Sequence, residues 1–405
     1  MANSLATCSI LAKETLAILQ NMLSFTAGVN RDWQDEFDGN QSRGYSPGTT
    51  INIKRPPRYT YRAGRIAVPQ ATTEVTVPLT LSQGGVDLSF LSVERTLSLQ
   101  QMEQKLQAAV ATVANEIDRQ GLQMAYQNTF NATNVTSGAG GTTPATSLAA
   151  VQIFTDSNRR LDEMGAPRDK LRQMIAGPAL NAALVSGLSG LFNAQPKLSS
   201  QYGSGLVVDA LGINFGMDQN VATHTNGTQV VTGTAVAAGL SGASIACVGL
   251  GGTITKGTVI NFPGVFAVNP QSRQSTGVLM DFVVTSDLAA AAVALPISPS
   301  LNASGAFQNV SSTTTAANFT IKGAASTAYQ QNLVYHKDAF TLACVPLWKP
   351  PKNGVLDSAT ETENGLSVRV IQFYDGVNDN AIFRLDVLFG WAPTYPELAN
   401  RVFLA

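Results

Sequence analysis

The period of apolar and polar positions changes several times along the chain, and each change predicts an element. Residues 4–25 carry Leu11, Ala12, Leu16, Ile18, Leu19 and Leu23 at near-helical spacing behind Ser4, a candidate N-cap, which predicts a first amphipathic helix. Residues 98–129 predict the longest helix. Leu99, Met102, Leu106, Ala109, Val110, Val113, Ile117 and Met124 make one stripe, and Ser98 with Gln101 has the form of a capping box. At a rise of about 1.5 Å per residue this helix spans about 45 Å, long for a compact domain and suited to a spine. Leu148–Met164 and Pro178–Leu191 predict two more helices around a short strand, Arg172–Ala176, and Leu206–Gln219 mixes strand and turn signals.

Elsewhere the alternation has period two. Thr50–Ile53 and Tyr59–Arg62 read as short strands separated by Pro56-Pro57, and Thr72–Leu81 reads as a strand whose Pro78 points to a sheet edge. Between 226 and 330 short runs recur, among them Gln229–Val231, Thr258–Phe262, Val265–Val268 and Phe282–Thr285, with turn residues between them. This predicts an inserted all-β domain, a small barrel or a sandwich. Residues 331–405 return to strand and turn, with strands near Phe340–Pro346, Leu366–Tyr374 and Ala381–Leu388. The expected class is α+β.

Composition sharpens the picture. The chain of 405 residues is long enough for two or three domains, yet only 13% of it is charged, about half the share usual in soluble domains. Such a surface fits either an extracellular β-rich protein or one largely buried against other subunits, where interface cores are poor in charge. The net charge of −1 names no partner. Cys8, Cys247 and Cys344 form no metal-ligand spacing and no even set, which points to a reducing compartment. The N-terminal stretch lacks a basic region before its apolar run, which Lys13 and Glu14 interrupt, so it is expected to be a helix and not a signal peptide. No uncharged apolar run reaches the length of a membrane span; the nearest, Leu288–Leu295, is short and Ala-rich.

Candidate chemistry is sparse. His224 and His336 have no second His or Cys at ligand spacing, so each is expected to be structural, and no nucleophile elbow, phosphate loop, zinc-protease or EF-hand motif occurs. Asp156, Asp162, Glu163 and Asp169 stand beside Arg159, Arg160, Arg168 and Lys170, which reads as a solvated mixed-charge face. No catalytic, cofactor or metal residues are therefore assigned. The densest charge feature is basic: Arg43, Lys54, Arg55, Arg58, Arg62 and Arg65, with no acid anywhere in 41–73. Tyr59 and Tyr61 lie among these arginines, which fits a protein contact, a nucleic-acid surface or a plain solvated loop, and the near-neutral chain favours the protein contact. Lys54, Arg55, Arg58, Arg62 and Arg65 are the candidate subunit-contact residues, expected to meet acidic groups of a neighbour.

Three segments carry a resemblance. Val208–Gly227 (VDALGINFGMDQNVATHTNG), the stretch from Asn332 containing His336-Lys337-Asp338-Ala339-Phe340, and Arg384–Phe403 (RLDVLFGWAPTYPELANRVF) resemble segments of tailed-bacteriophage major capsid (coat) proteins. Val284–Ser298 followed by Gln308-Asn309-Val310 resembles the end of the insertion domain in the short-tailed phage subfamily. The resemblance implies a Hong Kong 97-like fold: an N-terminal arm (1–40), an extended loop (41–72), a peripheral domain (73–147 and 376–405), an axial domain (148–225 and 331–375) and an inserted β domain (226–330). It further implies a non-enzymatic shell subunit that forms hexamers and pentamers, assembles with scaffolding protein and portal in the host bacterial cytoplasm, and ends in the virion with packaged double-stranded DNA on its inner face. No membrane or cofactor is implied. Relatives that crosslink through Lys and Asn have no matching pair of positions here. An extracellular β-rich adhesin or surface-layer protein is the alternative.

Overall fold

The computed structural model describes residues 12–13, 23–34, 36–37, 48–91, 99–135, 147–188, 209–210, 212–230, 232–236, 239–312, 317–351, 355–363 and 365–404. Most of the expected 4–25 helix, its Ser4 cap, Ser98 and the end of the 178–191 helix lie outside them. Along the chain come β1 (Thr50–Arg55), β2 (Val75–Thr80), β3 (Ser82–Leu91), α1 (Leu99–Asn128), β4 (Ala132–Val135), α2 (Ser147–Glu163), β5 (Arg172–Ala176) and α3 (Pro178–Leu188). There follow β6 (Asp209–Ala210), β7 (Ile213–Met217), β8 (Thr223–Thr225), β9 (Thr232–Val236), β10 (Gly242–Ala246), β11 (Val259–Val268), β12 (Ser275–Val284), β13 (Ala294–Leu301) and β14 (Ala317–Ile321). The last are β15 (Ala328–Gln330), β16 (Asn332–His336), β17 (Thr341–Val345), β18 (Asp357–Glu363), β19 (Leu366–Asp375), β20 (Asn380–Ala392) and β21 (Ala399–Leu404). The chain divides into two units, one within 1–53, 76–121 and 340–392, the other within 54–75, 122–339 and 393–405.

In the first unit β20 is the organising strand. It pairs along Asn380–Asp386 with β19, then along Leu388–Ala392 with β17, while ten residues of β3 run antiparallel to it from Asn380 to Phe389. β18 closes the edge beyond β19. β3, with Gly84, Gly85 and Asp87, has poor strand propensity and gives no sequence signal; pairing holds it. A side chain at Gly85 would stand 2.1 Å from the Leu385 carbonyl, so glycine permits the approach. Ile51, Ile53, Leu79, Leu81, Ala343, Ala392 and Phe37 form a shared apolar core.

The segment 23–34 is fastened into this unit. Asp118 of α1 is buried and accepts from the amides of Ser24, Phe25 and Thr26 and, at 2.5 Å, from the Thr26 hydroxyl. Phe25 stacks on Trp391 with ring centroids 5.3 Å apart, and both press on Gly121, where a Cβ would lie 2.6 Å from the indole. In α1 the buried positions 109, 110, 113, 114, 117, 118, 121, 122, 125 and 126 step by three and four; of the stripe expected from the sequence Ala109, Val110, Val113 and Ile117 are among them and Met124 is half-buried.

The second unit holds a six-stranded sheet in the order β4-β21-β16-β5-β7-β6, parallel at β4/β21 and β5/β7 and antiparallel elsewhere. Helices α2 and α3 cover it through Ile153, Phe154, Leu161, Leu180 and Leu184, packed on Met174, Ile213, Val334 and Val402. The same unit contains a second six-stranded sheet, β10-β13-β12-β11-β14-β9. An isolated bridge between Val236 and Cys247 links its two end strands, as in a closed barrel. Its interior is apolar, with Ile260, Phe262, Phe282, Leu295 and Phe319 fully or almost fully buried. The chain enters and leaves along one antiparallel pair, β8 with β15, which forms a stalk.

Three expectations need correction. Tyr59–Arg62 is not a strand: behind Pro56-Pro57 the backbone from 56 to 74 joins no ladder, and the partner of β1 is β2. The boundary drawn at 375/376 falls inside the β19–β20 hairpin, whose register is continuous from Arg369↔Asp386 to Asp375↔Asn380. Finally, 393–405 does not stay with 376–392, because β21 is hydrogen-bonded between β4 and β16 in the second unit. Pairing partners far away in sequence decide both of the last two.

Candidate functional site: the arginine loop and the barrel anchor

The five basic residues singled out above lie along one protruding loop. At its base Lys54 pairs with Glu74 at 2.9 Å, both exposed. Arg55 reaches Glu397, which also takes Arg58 at 3.3 Å, and the Arg55 guanidinium lies 4.9 Å over the Tyr395 ring. Burial pushes the Tyr395 hydroxyl pKa up, with Arg55 pulling the other way. Glu397 belongs to the single turn Pro396–Leu398 just before β21, so the sheet positions the carboxylate that holds the loop.

Beyond the base the Gln70 carboxamide does the work of a ladder. Its oxygen accepts from the Thr60 amide at 2.8 Å and its nitrogen donates to the Thr60 carbonyl at 2.7 Å. Tyr59 hydrogen-bonds Thr72 at 3.0 Å, and Arg273 from the barrel donates to the Tyr59 carbonyl at 2.6 Å. At the tip, Arg62 turns back on the carbonyls of Gly64 and Ile66, Gly64 having φ +95°. Arg62 and Arg65 have no ion-pair partner among the described residues. The tip exposes Tyr61 at 94%, Ile66 at 81% and Val68 at 64%. The structure thus divides the candidates: Lys54, Arg55 and Arg58 meet acids of their own chain, and Arg62 turns onto the backbone of its own loop.

A second charged centre, not assigned from the sequence, anchors the barrel. Asp281 of β12 is buried, and its Oδ2 takes Lys322 at 2.6 Å, Arg160 of α2 at 3.3 Å and the Ala132 amide of β4 at 3.3 Å. Lys322 also donates to the Ala132 carbonyl, and burial pulls its pKa down while Asp281 opposes this. Arg401 of β21, fully buried, donates to the Gly257 carbonyl at 2.8 Å; burial lowers its pKa too. Strand β12, the end of the barrel and the main sheet are thereby held by charge-assisted bonds. The signal in the sequence was an acid inside an apolar run, Val278–Val284, and an arginine inside Ala399–Leu404.

Both histidines are buried. His336 Nε2 donates to the Asp169 carboxylate at 3.1 Å, while Nδ1 accepts from the Asp338 amide at 3.3 Å. His224, in the stalk, meets Thr258 at 3.1 Å and the ring of Tyr126. The supposed solvated face is only partly so: Arg160 is buried and turned onto Asp281, and Asp162 reaches the buried Arg172 at 2.7 Å. Among the described residues no three His, Cys, Asp or Glu side chains gather as a metal site, and no helix is long and apolar enough to cross a membrane.

Residues 73–403 match the family model described as P22 coat protein, gene protein 5. No curated protein matches the chain. Among solved structures, a chain of Mycobacterium phage Che8 is similar with a TM-score of 0.48 and 12% identity over 94% of this chain and 90% of that one. The capsid of Cyanophage P-SCSP1u gives 0.44 and 11% over 89% and 85%. The mature capsid of bacteriophage PhiM1 gives 0.42 and 12% over 88% and 82%. These three likenesses are loose.

Proposed function

The chain belongs to the P22 coat protein family and is a major capsid protein of a bacteriophage shell, with a Hong Kong 97-like α+β fold; we propose that it builds that shell chiefly through the tip of its arginine loop. The observation that carries this reading is the loop itself. Its base is fixed by Glu397 and its middle by Gln70 and Arg273 of the same chain, while its tip presents tyrosine, isoleucine and arginine without an ion pair among the described residues. Arg and Tyr are the residues that interface hot spots favour. An exposed ion pair is worth only about 0.2–1 kcal/mol, but identical contacts repeated around a closed symmetric assembly add up.

In this reading hexamers and pentamers form in the host bacterial cytoplasm with scaffolding protein and a portal, and the shell encloses double-stranded DNA on its inner face. The protein works by assembly and not by turnover. The barrel between β8 and β15 is the inserted domain, with its own apolar core and a two-stranded stalk. Nothing in the family match favours an adhesin or surface-layer protein.

Expression of the chain followed by sedimentation and negative-stain microscopy tests the proposal. Wild type gives shells or capsomers. Arg62→Glu with Arg65→Glu gives folded subunits, by circular dichroism, that do not assemble. Shells of normal yield from that variant would remove the loop from the assembly mechanism.

A further inference from the structure

Arg401 has more hydrogen-bonding capacity than its own chain takes up. It stands in β21, paired with Leu333 of β16 on one side and Ala132 of β4 on the other. Its neighbour Val402 packs with the helices that cover the sheet. Side chains alternate along a strand, so Arg401 shares the opposite face with Phe403, which meets Ala132 and Val259 of the barrel. There the guanidinium is buried. Its Nη1 donates to the Gly257 carbonyl at 2.8 Å and to the Gln331 side-chain oxygen at 3.4 Å. Nε and Nη2 are buried too, and neither has an acceptor among the described residues. These two atoms form one edge of the guanidinium, with near-parallel N–H bonds suited to gripping an anion. Arg168 uses the same edge on the two oxygens of Asp162.

The charge around Arg401 is out of balance as well. Arg401, Arg160 and Lys322 are three cations in one interior. Oδ2 of Asp281 already serves Lys322, Arg160 and the Ala132 amide. Glu163 stands 3.9 Å from Arg160 and is shared with Arg159. Asp281 acts on Arg401 through space, but burial outweighs it and pulls the Arg401 pKa down to about 9. Arg401 in turn repels the charge on Lys322. A buried cation in this position is costly unless an anion meets it. Water fills hydrogen bonds but does not offset charge. The surroundings are tight: a side chain at Gly257 would stand 3.0 Å from the Tyr126 ring and 3.6 Å from His224. That favours a monatomic ion over a polyatomic one. We propose that the Nε–Nη2 edge of Arg401 binds a halide-sized anion, chloride in kind, as a structural component of the barrel anchor. The proposal goes beyond the assembly reading and does not depend on the arginine loop. Its plain rival is a water joining Arg401 to Oδ1 of Asp281, which is also buried and has no donor among the described residues.

Two measurements on the unassembled full chain decide it. The first is urea unfolding at constant ionic strength, with gluconate replaced stepwise by chloride. An ion held only by the folded state with a Kd of about 10 mM lowers the unfolding equilibrium constant about tenfold between about 1 and about 100 mM chloride. Arg401→Lys keeps the charge and loses the two-donor edge, so its response to chloride nearly vanishes. Gln331→Met touches only the Nη1 side and keeps the response. The second measurement is anomalous diffraction from wild-type crystals soaked in bromide, which shows a peak beside Nε and Nη2. An equal chloride response in wild type and Arg401→Lys overturns the site, and so does water alone at that position in the soaked crystals. Should Arg401→Lys fail to fold, the bromide map decides alone.

Discussion

One oxygen of Asp281 serves three donors in the interior of the second unit, so this residue balances more charge than its exposure of 1% could tolerate unpaired. Asp281→Asn leaves Arg160 and Lys322 buried without their carboxylate. Breaking a buried pair in this way costs about 3–5 kcal/mol. Denaturant unfolding of the variant should show a loss of that order, with Lys322→Met costing distinctly less because Arg160 remains to Asp281. Equal losses would mean the lysine, not the aspartate, holds the barrel. His224 makes a different claim. Burial first, then the nearby Arg401, pushes its pKa down to about 4 from an ordinary 6.5. As the folded value is the lower one, the unfolded chain takes up the proton first as pH falls. Stability is lost from about pH 6.5 downward and the loss levels off near pH 4. The shift corresponds to about 3 kcal/mol. His224→Gln should flatten that part of the stability profile, measured by thermal unfolding at a series of pH values. An unchanged slope would place the titrating group elsewhere.

At the scale of elements, the loop tests how a segment without regular structure is kept in place. Glu397→Gln removes the charge that binds Arg55 and Arg58 and leaves the Gln70 bridge. These groups are partly exposed, so global stability should change by less than about 1 kcal/mol. Trypsin cleavage within 56–74 should nevertheless quicken several-fold; equal cleavage rates would show that the base is held by other means. The elements also show where a sequence is readable. Spine helix, α2 and β5 were legible because their apolar periods are strong and local. β3 was not, since Gly84, Gly85 and Asp87 conceal a strand that exists only by pairing with β20. Tyr59–Arg62 misled in the other direction: its alternation is real, but two prolines and a side-chain bridge replace the ladder. The loop's charge was visible, its intrachain acid was not, because Glu397 lies more than three hundred residues away along the chain.

At the scale of the whole molecule, the order of segments could be read and their partition could not. A chain poor in charge and free of catalytic constellations pointed to assembly, and the coat-protein resemblance made that specific. The grouping of 340–392 apart from 393–405 depends on hydrogen bonds between distant strands, which no local pattern encodes. The barrel anchor was missed for the same reason, since Asp281, Arg160 and Lys322 meet only after folding.

The strand order β4-β21-β16 also carries a timetable. A chain is made from its N-terminus, and among the described residues β4 pairs only with β21, which begins 264 residues after β4 ends (399 − 135). At roughly 5–20 residues per second, β4 waits about 13–50 s for its partner to be made. The barrel, whose strands are all present once residue 321 emerges, can close in the meantime. A nascent subunit therefore carries a finished barrel on an unfinished sheet, and a ribosome that stops short of residue 399 releases a chain whose central sheet cannot be completed.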